Sequence, residues 1–225
     1  MLILQQWRRR LVNSELNEKT FWDSYAKHYD RLLRKLSGVY GIIREKALEL
    51  TFDYSVVLEA GTGTGDIAFA VSGKALSVEA CDLSPAMIHI AEQKHKKSGS
   101  GNLRFSVCDC CEMNYPDMTF DLVIVSNVLH VIPDPEAALT EASRVLKPDG
   151  VIFAPTYLHG ENLISKFFSR IMSLKGFRAY SRWSRSSLQC FLIDRGFKVM
   201  EMPVIKGTIP LGMAVLKKGD VTEVV

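Results

Sequence analysis

The chain has 225 residues, 47% of them hydrophobic and 24% charged, a balance that buries a core and excludes a disordered or low-complexity protein. A net charge of +3 is too small to argue for a nucleic-acid partner, and no apolar run approaches the ~20 residues of a membrane span. Five cysteines, three of them crowded as Cys108, Cys110 and Cys111, argue against a disulfide framework and fit a reducing cytoplasm.

At the N-terminus a very short apolar stretch precedes Arg8, Arg9 and Arg10, the reverse of the order in a secretory signal, so no export is expected. Residues 1–50 read as a helical cap, in which Phe21, Tyr25 and Tyr29 fall at i, i+4 and i+8 on one face. Five apolar, β-branched runs follow: Val56 to Ala60, Leu76 to Cys81, Leu103 to Cys108, Asp121 to Ser126 and Val151 to Pro155. Segments of helical length separate them, and this alternation predicts a doubly wound parallel sheet over residues 51–157. Ser84-Pro85 and Asp134-Pro135 each offer an N-cap oxygen and a proline at the first helical position. Pro148 and Gly196 mark helix stops.

Residues 160–185 form a basic amphipathic stretch, and residues 186–225 supply a helix and two more strands, Phe197 to Val204 and Leu211 to Lys217. The spacer from Lys206 to Pro210 reads as the turn of an antiparallel pair. The expectation is one domain, residues 1–225, with a seven-stranded, mostly parallel sheet whose last strand is antiparallel.

Chemistry concentrates where the first strand ends. Val56 through Gly65 is an apolar strand running into a glycine-rich turn that opens a helix, a place where a nucleotide-like ligand can lie against the main chain. Asp82 ends the next strand, about 20 residues beyond the first glycine, a spacing that sets a carboxylate on ribose hydroxyls. Asp66 stands where the dinucleotide pattern G-x-G-x-x-G needs its third glycine, which disfavours a nicotinamide oxidoreductase. Ser126, Asn127 and His130 follow the fourth strand at the carboxyl edge, where His130 reads either as a general base or as a locally packed histidine. Vicinal spacing in Cys108-Asp109-Cys110-Cys111 is poor for a tetrahedral site, so no metal is expected.

Glu59 to Gly65, Cys81 to Met87, Cys108-Asp109, Phe120-Asp121 and Leu139 to Gly150 together resemble the class I S-adenosylmethionine-dependent methyltransferases. The likeness spans roughly residues 21–157 and is strongest to the broad ubiquinone/menaquinone, methyltransferase type 11-like branch. It implies a Rossmann-like α/β fold and S-adenosylmethionine as cofactor. It places Gly61, Thr62 and Gly63 at the methionyl and ribose region, Glu59 near the ammonium, Asp82 on the ribose, and Leu83 and Met87 on the adenine faces. Asp109 and the Cys110 N–H would meet the adenine edge, Ser126 would line the same site, and Tyr29 of a Tyr-Asp pair would close over it. Asp149 replaces a glycine in a distant turn.

Between Glu161 and Arg185 six cations face a single acid, a net of +5. Leu163, Phe167, Ile171 and Leu174 keep helical spacing, with Ile164, Phe168 and Met172 widening the apolar face. This insert reads as a lid for an amphiphilic or anionic acceptor, as a surface for peripheral membrane contact, or as a solvated helix on the core. Methyl transfer to a small or lipid-like acceptor is the expected function. A nicotinamide enzyme and a non-catalytic cofactor-binding protein are the alternatives.

Overall fold

In the computed structural model, residues 2–174 and 176–219 are described, with side chains from residue 19 onward. The side chains behind the N-terminal charge order, and Lys175, lie outside the described residues. Two helices open the chain, α1 (Leu2–Lys35) and α2 (Ser37–Leu50). An alternating series follows: β1 (Val56–Ala60), α3 (Asp66–Ser72), β2 (Ser77–Asp82), α4 (Pro85–Ser98), β3 (Leu103–Val107), β4 (Phe120–Ile124), α5 (Pro135–Val145) and β5 (Leu146–Tyr157). The chain closes with α6 (Leu163–Leu174), α7 (Arg185–Asp194), β6 (Phe197–Glu201), β7 (Val204–Ile205) and β8 (Leu211–Lys218).

The sheet runs β3-β2-β1-β4-β5-β8-β6, with β7 also paired to β8. Strands β1 to β5 are mutually parallel, and β8 is antiparallel to β5, β6 and β7. The sheet therefore has eight strands and not the expected seven. The run expected as one strand from Phe197 is divided: a bulge falls between Val199 and Glu201, and Pro203, which has no N–H to donate, separates β6 from β7 along the same edge of β8. The carbonyl of Pro203 still accepts from Met213 N at 2.9 Å, so the line of pairing is bent and not lost.

Alternate residues of the central strands face opposite layers, as a period of two requires. Leu58, Val123 and Ile152 meet Leu139 of α5 and Leu188 of α7 on one side. Val57, Leu122, Ile124 and Phe153 meet Ile43 of α2 and Ile67 of α3 on the other. Both expected caps form, with Ser84 Oγ accepting from Met87 N at 3.2 Å and Asp134 Oδ1 from Ala137 N at 2.9 Å. β5 begins earlier than its apolar run. Leu146 pairs with Phe120 and Val151 with Leu122, so Lys147 to Gly150, Asp149 among them, bulge out of the ladder far from the carboxyl edge.

Candidate functional site

Strand order reverses between β1 and β4, and the carboxyl ends of parallel strands open a crevice at such a point. A cavity of about 620 Å³ occupies it. Each of the first four strands delivers residues to its wall: Gly61 and Gly63 from β1, Asp82 from β2, Asp109 and Cys110 from β3, Ser126 and His130 from β4.

The glycine turn is built for close approach. Gly61 and Gly63 have φ of +78° and +56°, and a Cβ at Gly61 would overlap Val128. Gly61 N and Thr62 N both donate to the Cys81 carbonyl, at 2.8 and 2.9 Å, which ties the turn to β2. Asp82 completes the tie, accepting from Gly63 N at 2.8 Å through one oxygen and from Ser84 N at 2.9 Å through the other. Each oxygen keeps a lone pair for a further donor. Burial raises the Asp82 carboxyl above its ordinary value, against the two backbone bonds that lower it.

Glu59 and Thr62 do not line the cavity. Glu59 is buried behind the turn, where it accepts from Thr62 Oγ1 at 2.6 Å and from the Ala68 amide in the first turn of α3. Burial pushes its carboxyl up to about 8. Asp66, in place of a third glycine, opens α3 and pairs with Arg44 of α2 at 2.8 Å. Its side chain ties α2 to α3 and does not line the cavity.

At the other wall Leu83 and Met87 line the cavity beside Asp109, whose Oδ1 accepts from Cys111 N at 2.8 Å. The Asp109 carboxylate and the Cys110 and Cys111 sulfurs lie within 4.8 Å of one another. A hydrogen bond with Cys111, reinforced by burial, holds the Cys110 thiol well above its ordinary value, so this wall presents a neutral thiol. Cys108 differs: its hydrogen bond with Cys81 brings it down to about 7.

The N-terminal cap is pinned over the turn at two places. Asp30 Oδ1 accepts from Thr64 Oγ1 at 2.6 Å and Lys94 Nζ at 2.7 Å, while Asp23 Oδ1 accepts from Ser84 Oγ and from Ala86 N at 3.3 Å. Tyr29 therefore lies against the turn, where a Cβ on Gly63 would come 3.0 Å from its ring, and it lines the cavity. Asp30 acts as the fastener. Tyr25 stacks on Phe21 at 5.9 Å, outside the cavity lining.

The remaining wall was largely hidden from sequence reasoning. Tyr40 of α2 hydrogen-bonds with Tyr29 and accepts from Asn127 Nδ2 at 3.4 Å, and burial raises both phenols above their ordinary values. His159, just beyond β5, sets its ring 5.0 Å from that of His130 and 5.8 Å from Phe177. Both histidines are buried and line the cavity with Tyr157. Burial, assisted by the neighbouring imidazole, drives His130 well below its ordinary value; burial and then Arg182 bring His159 down to about 4. Both enter the site as neutral imidazoles. Among the described residues, His130 Nδ1, both ring nitrogens of His159 and Asn127 Oδ1 are buried without a hydrogen-bond partner. His159 had one available signal, its place at the carboxyl end of a central strand.

A family model described as a methyltransferase domain matches residues 58–154. A demethylmenaquinone methyltransferase of Thermus thermophilus is 30% identical over 215 residues, covering 87% of this chain and 97% of that protein. A ubiquinone/menaquinone biosynthesis C-methyltransferase of Hydrogenovibrio crunogenus is 33% identical over 139 residues, 59% of this chain, which spans about half (55%) of that relative. One chain of the complex between the Haloferax volcanii Trm112 methyltransferase activator and a methyltransferase superposes with a TM-score of 0.72 at 19% identity, over 88% of this chain and 97% of that one. That last likeness is one of fold.

Proposed function

The chain belongs to the class I S-adenosylmethionine-dependent methyltransferases that act on small molecules, and from this premise we propose that its acceptor is an amphiphile with a polar ring and an apolar tail. The observation that carries the proposal is the group of partnerless polar atoms on His130, His159 and Asn127, set in a wall that continues through Phe177 to the apolar Phe168 and Met172 of α6. Unpaired buried polar groups favour a ligand that satisfies them. The branch named for ubiquinone and menaquinone supports the same choice, since the names of two relatives refer to quinones. We take residues 1–225 as one domain, and the free thiols of all five cysteines as suited to a reducing cytoplasm.

The residues fit the cofactor. Carboxylates at the ends of β2 and β3 both line a cavity whose volume, about 620 Å³, is within the usual range for a ligand of this size. Asp82, with lone pairs to spare, would hold the ribose hydroxyls; Asp109 and the Cys110 N–H would hold the adenine edge between Leu83 and Met87. Gly61 and Gly63 would take the methionyl part, with Glu59 and Thr62 bracing the turn from behind and Tyr29 covering it. When bound, S-adenosylmethionine supplies a sulfonium-activated methyl group for in-line displacement by the acceptor. The protein's own contribution is alignment, which can supply ~7–11 kcal/mol in favourable cases, and exclusion of water by the α1 cap. Neutral His130, which lines the cavity with Ser126 and Asn127, would orient the acceptor or take its proton.

Calorimetry with S-adenosylmethionine and NAD, coupled to a methyl-transfer assay on phenolic and amine acceptors with and without alkyl tails, tests this reading. S-adenosylmethionine should bind and NAD should not, and tailed acceptors should show the higher kcat/KM. NAD binding alone, or equal kcat/KM for tailed and tailless acceptors, refutes it. His130→Ala should lower kcat by roughly 100-fold with cofactor affinity unchanged, the size typical of a lost general base. Near-normal turnover would leave His130 a packing residue.

A further inference from the structure

Helix α6 is inside out. Its small residues Ser165 and Ser169 are fully buried, whereas Leu163, Phe167 and Leu174 are 83%, 61% and 88% exposed and Ile164 is 60% exposed. On a wheel of 100° per residue these apolar side chains form one arc. Its far side, Phe168 and Met172, lines the cavity, and Lys166 and Arg170, both exposed, border its near side. A contiguous exposed apolar patch bordered by cations on the outside of a folded domain marks a contact surface.

We propose that α6 lies in the plane of an anionic lipid bilayer, its exposed apolar arc among the acyl chains and its cations at the headgroups. Charge selects this occupant. No acid occurs from Asn162 to Ile193, while Lys166, Arg170, Lys175, Arg178, Arg182 and Arg185 fall in the same stretch. Cations flanking an apolar arc on a helix too short and too charged to span are the signature of an interfacial helix, and among the described residues no helix is long and apolar enough to cross. A protein partner would have to bring a dense acidic groove, whereas an anionic bilayer supplies apolar depth and negative charge at every point. The geometry also gives the arc a use: a lipid-like molecule could pass along one helix, from Leu163 and Phe167 in the bilayer to Phe168 and Met172 at the cavity. That route rests on the amphiphilic-acceptor reading; the seat on the bilayer does not.

The test is co-sedimentation of the full chain with phosphatidylcholine vesicles, with and without phosphatidylglycerol, at low and high salt. Wild type should partition onto the anionic vesicles only, and less at high salt. The double variant Lys166→Gln/Arg170→Gln should partition roughly 30-fold less, the loss expected for two cations at an anionic surface. Phe167→Asp should lose partitioning at least as far. Both variants should keep wild-type S-adenosylmethionine affinity by calorimetry, which shows that they fold, because none of the three substituted side chains, Lys166, Phe167 and Arg170, lines the cavity. Wild type failing to bind anionic vesicles, Phe167→Asp binding as wild type does, or a dimer in sedimentation equilibrium that Phe167→Asp dissociates, overturns the proposal. Loss of cofactor binding by wild type would instead refute the methyltransferase reading and leave the vesicle result standing.

Discussion

Asp82→Ala is expected to weaken S-adenosylmethionine binding by on the order of 100-fold, measured by calorimetry on a variant shown to be folded by circular dichroism. The carboxylate does two jobs at once. It accepts from Gly63 N and Ser84 N, at 2.8 and 2.9 Å, and so fixes the glycine turn against the start of α4. It also faces the cavity with lone pairs left for a ribose. Removing it leaves two amide donors without a partner, each costing roughly 1–3 kcal/mol where water cannot reach, and removes the ribose contacts as well. Asp82→Asn keeps one acceptor oxygen and should fall between the two. An affinity for Asp82→Ala within a few-fold of wild type would mean that the turn holds itself and that the ribose is bound elsewhere.

The second large effect is on stability in acid. His159 is buried as a neutral imidazole with its folded pKa brought from 6.5 to about 4, so as pH falls the unfolded chain takes up the proton first. Stability tied to this residue is complete above about pH 6.5 and drains away between there and about pH 4, by about 3 kcal/mol in all. His130, also depressed, acts in the same sense. Glu59 acts in the opposite sense: raised to about 8, it binds its proton first in the folded chain and adds stability as pH falls through that value. A raw stability curve therefore mixes the signs. The difference in urea unfolding free energy between wild type and His159→Gln isolates the histidine, and it should shift by about 3 kcal/mol in favour of the variant from pH 7 to pH 4. A flat difference would mean that His159 is solvated in solution.

Much of this was written locally in the chain. Ser84-Pro85 and Asp134-Pro135 are helix starts that need only their own neighbours, and both form as read. The places of Asp82 and Asp109 in the cavity wall were legible because a strand of fixed rise delivers its last residue, Asp82, or the residues just beyond it, Asp109, to the carboxyl edge whatever the helices do. What escaped depends on residues distant in sequence. Tyr40 and Asn127 are brought together across the cap and β4, and no local pattern announces the pair. Glu59 and Thr62 were expected beside the cofactor, but spacing along the turn does not say which side of it a side chain takes; neither lines the cavity, and Glu59 accepts instead from Thr62 Oγ1 and from the Ala68 amide of α3. For α6 the spacing reported an apolar face correctly. Periodicity says only that such a face exists; the side that is buried carries Ser165 and Ser169.

The divided strand at Pro203 also bears on how the molecule behaves among its own copies. β6 and β7 form an outer edge of the sheet, and an unbroken edge is a row of donors and acceptors ready to recruit another chain. Here the bulge at Val199–Glu201 bends the row and Pro203 removes a donor from it. At the opposite border β3 has only five residues and carries the exposed Arg104. Neither border can template a long intermolecular ladder, so crowding should not drive these sheets to fuse end on end, even with the chain concentrated on a surface.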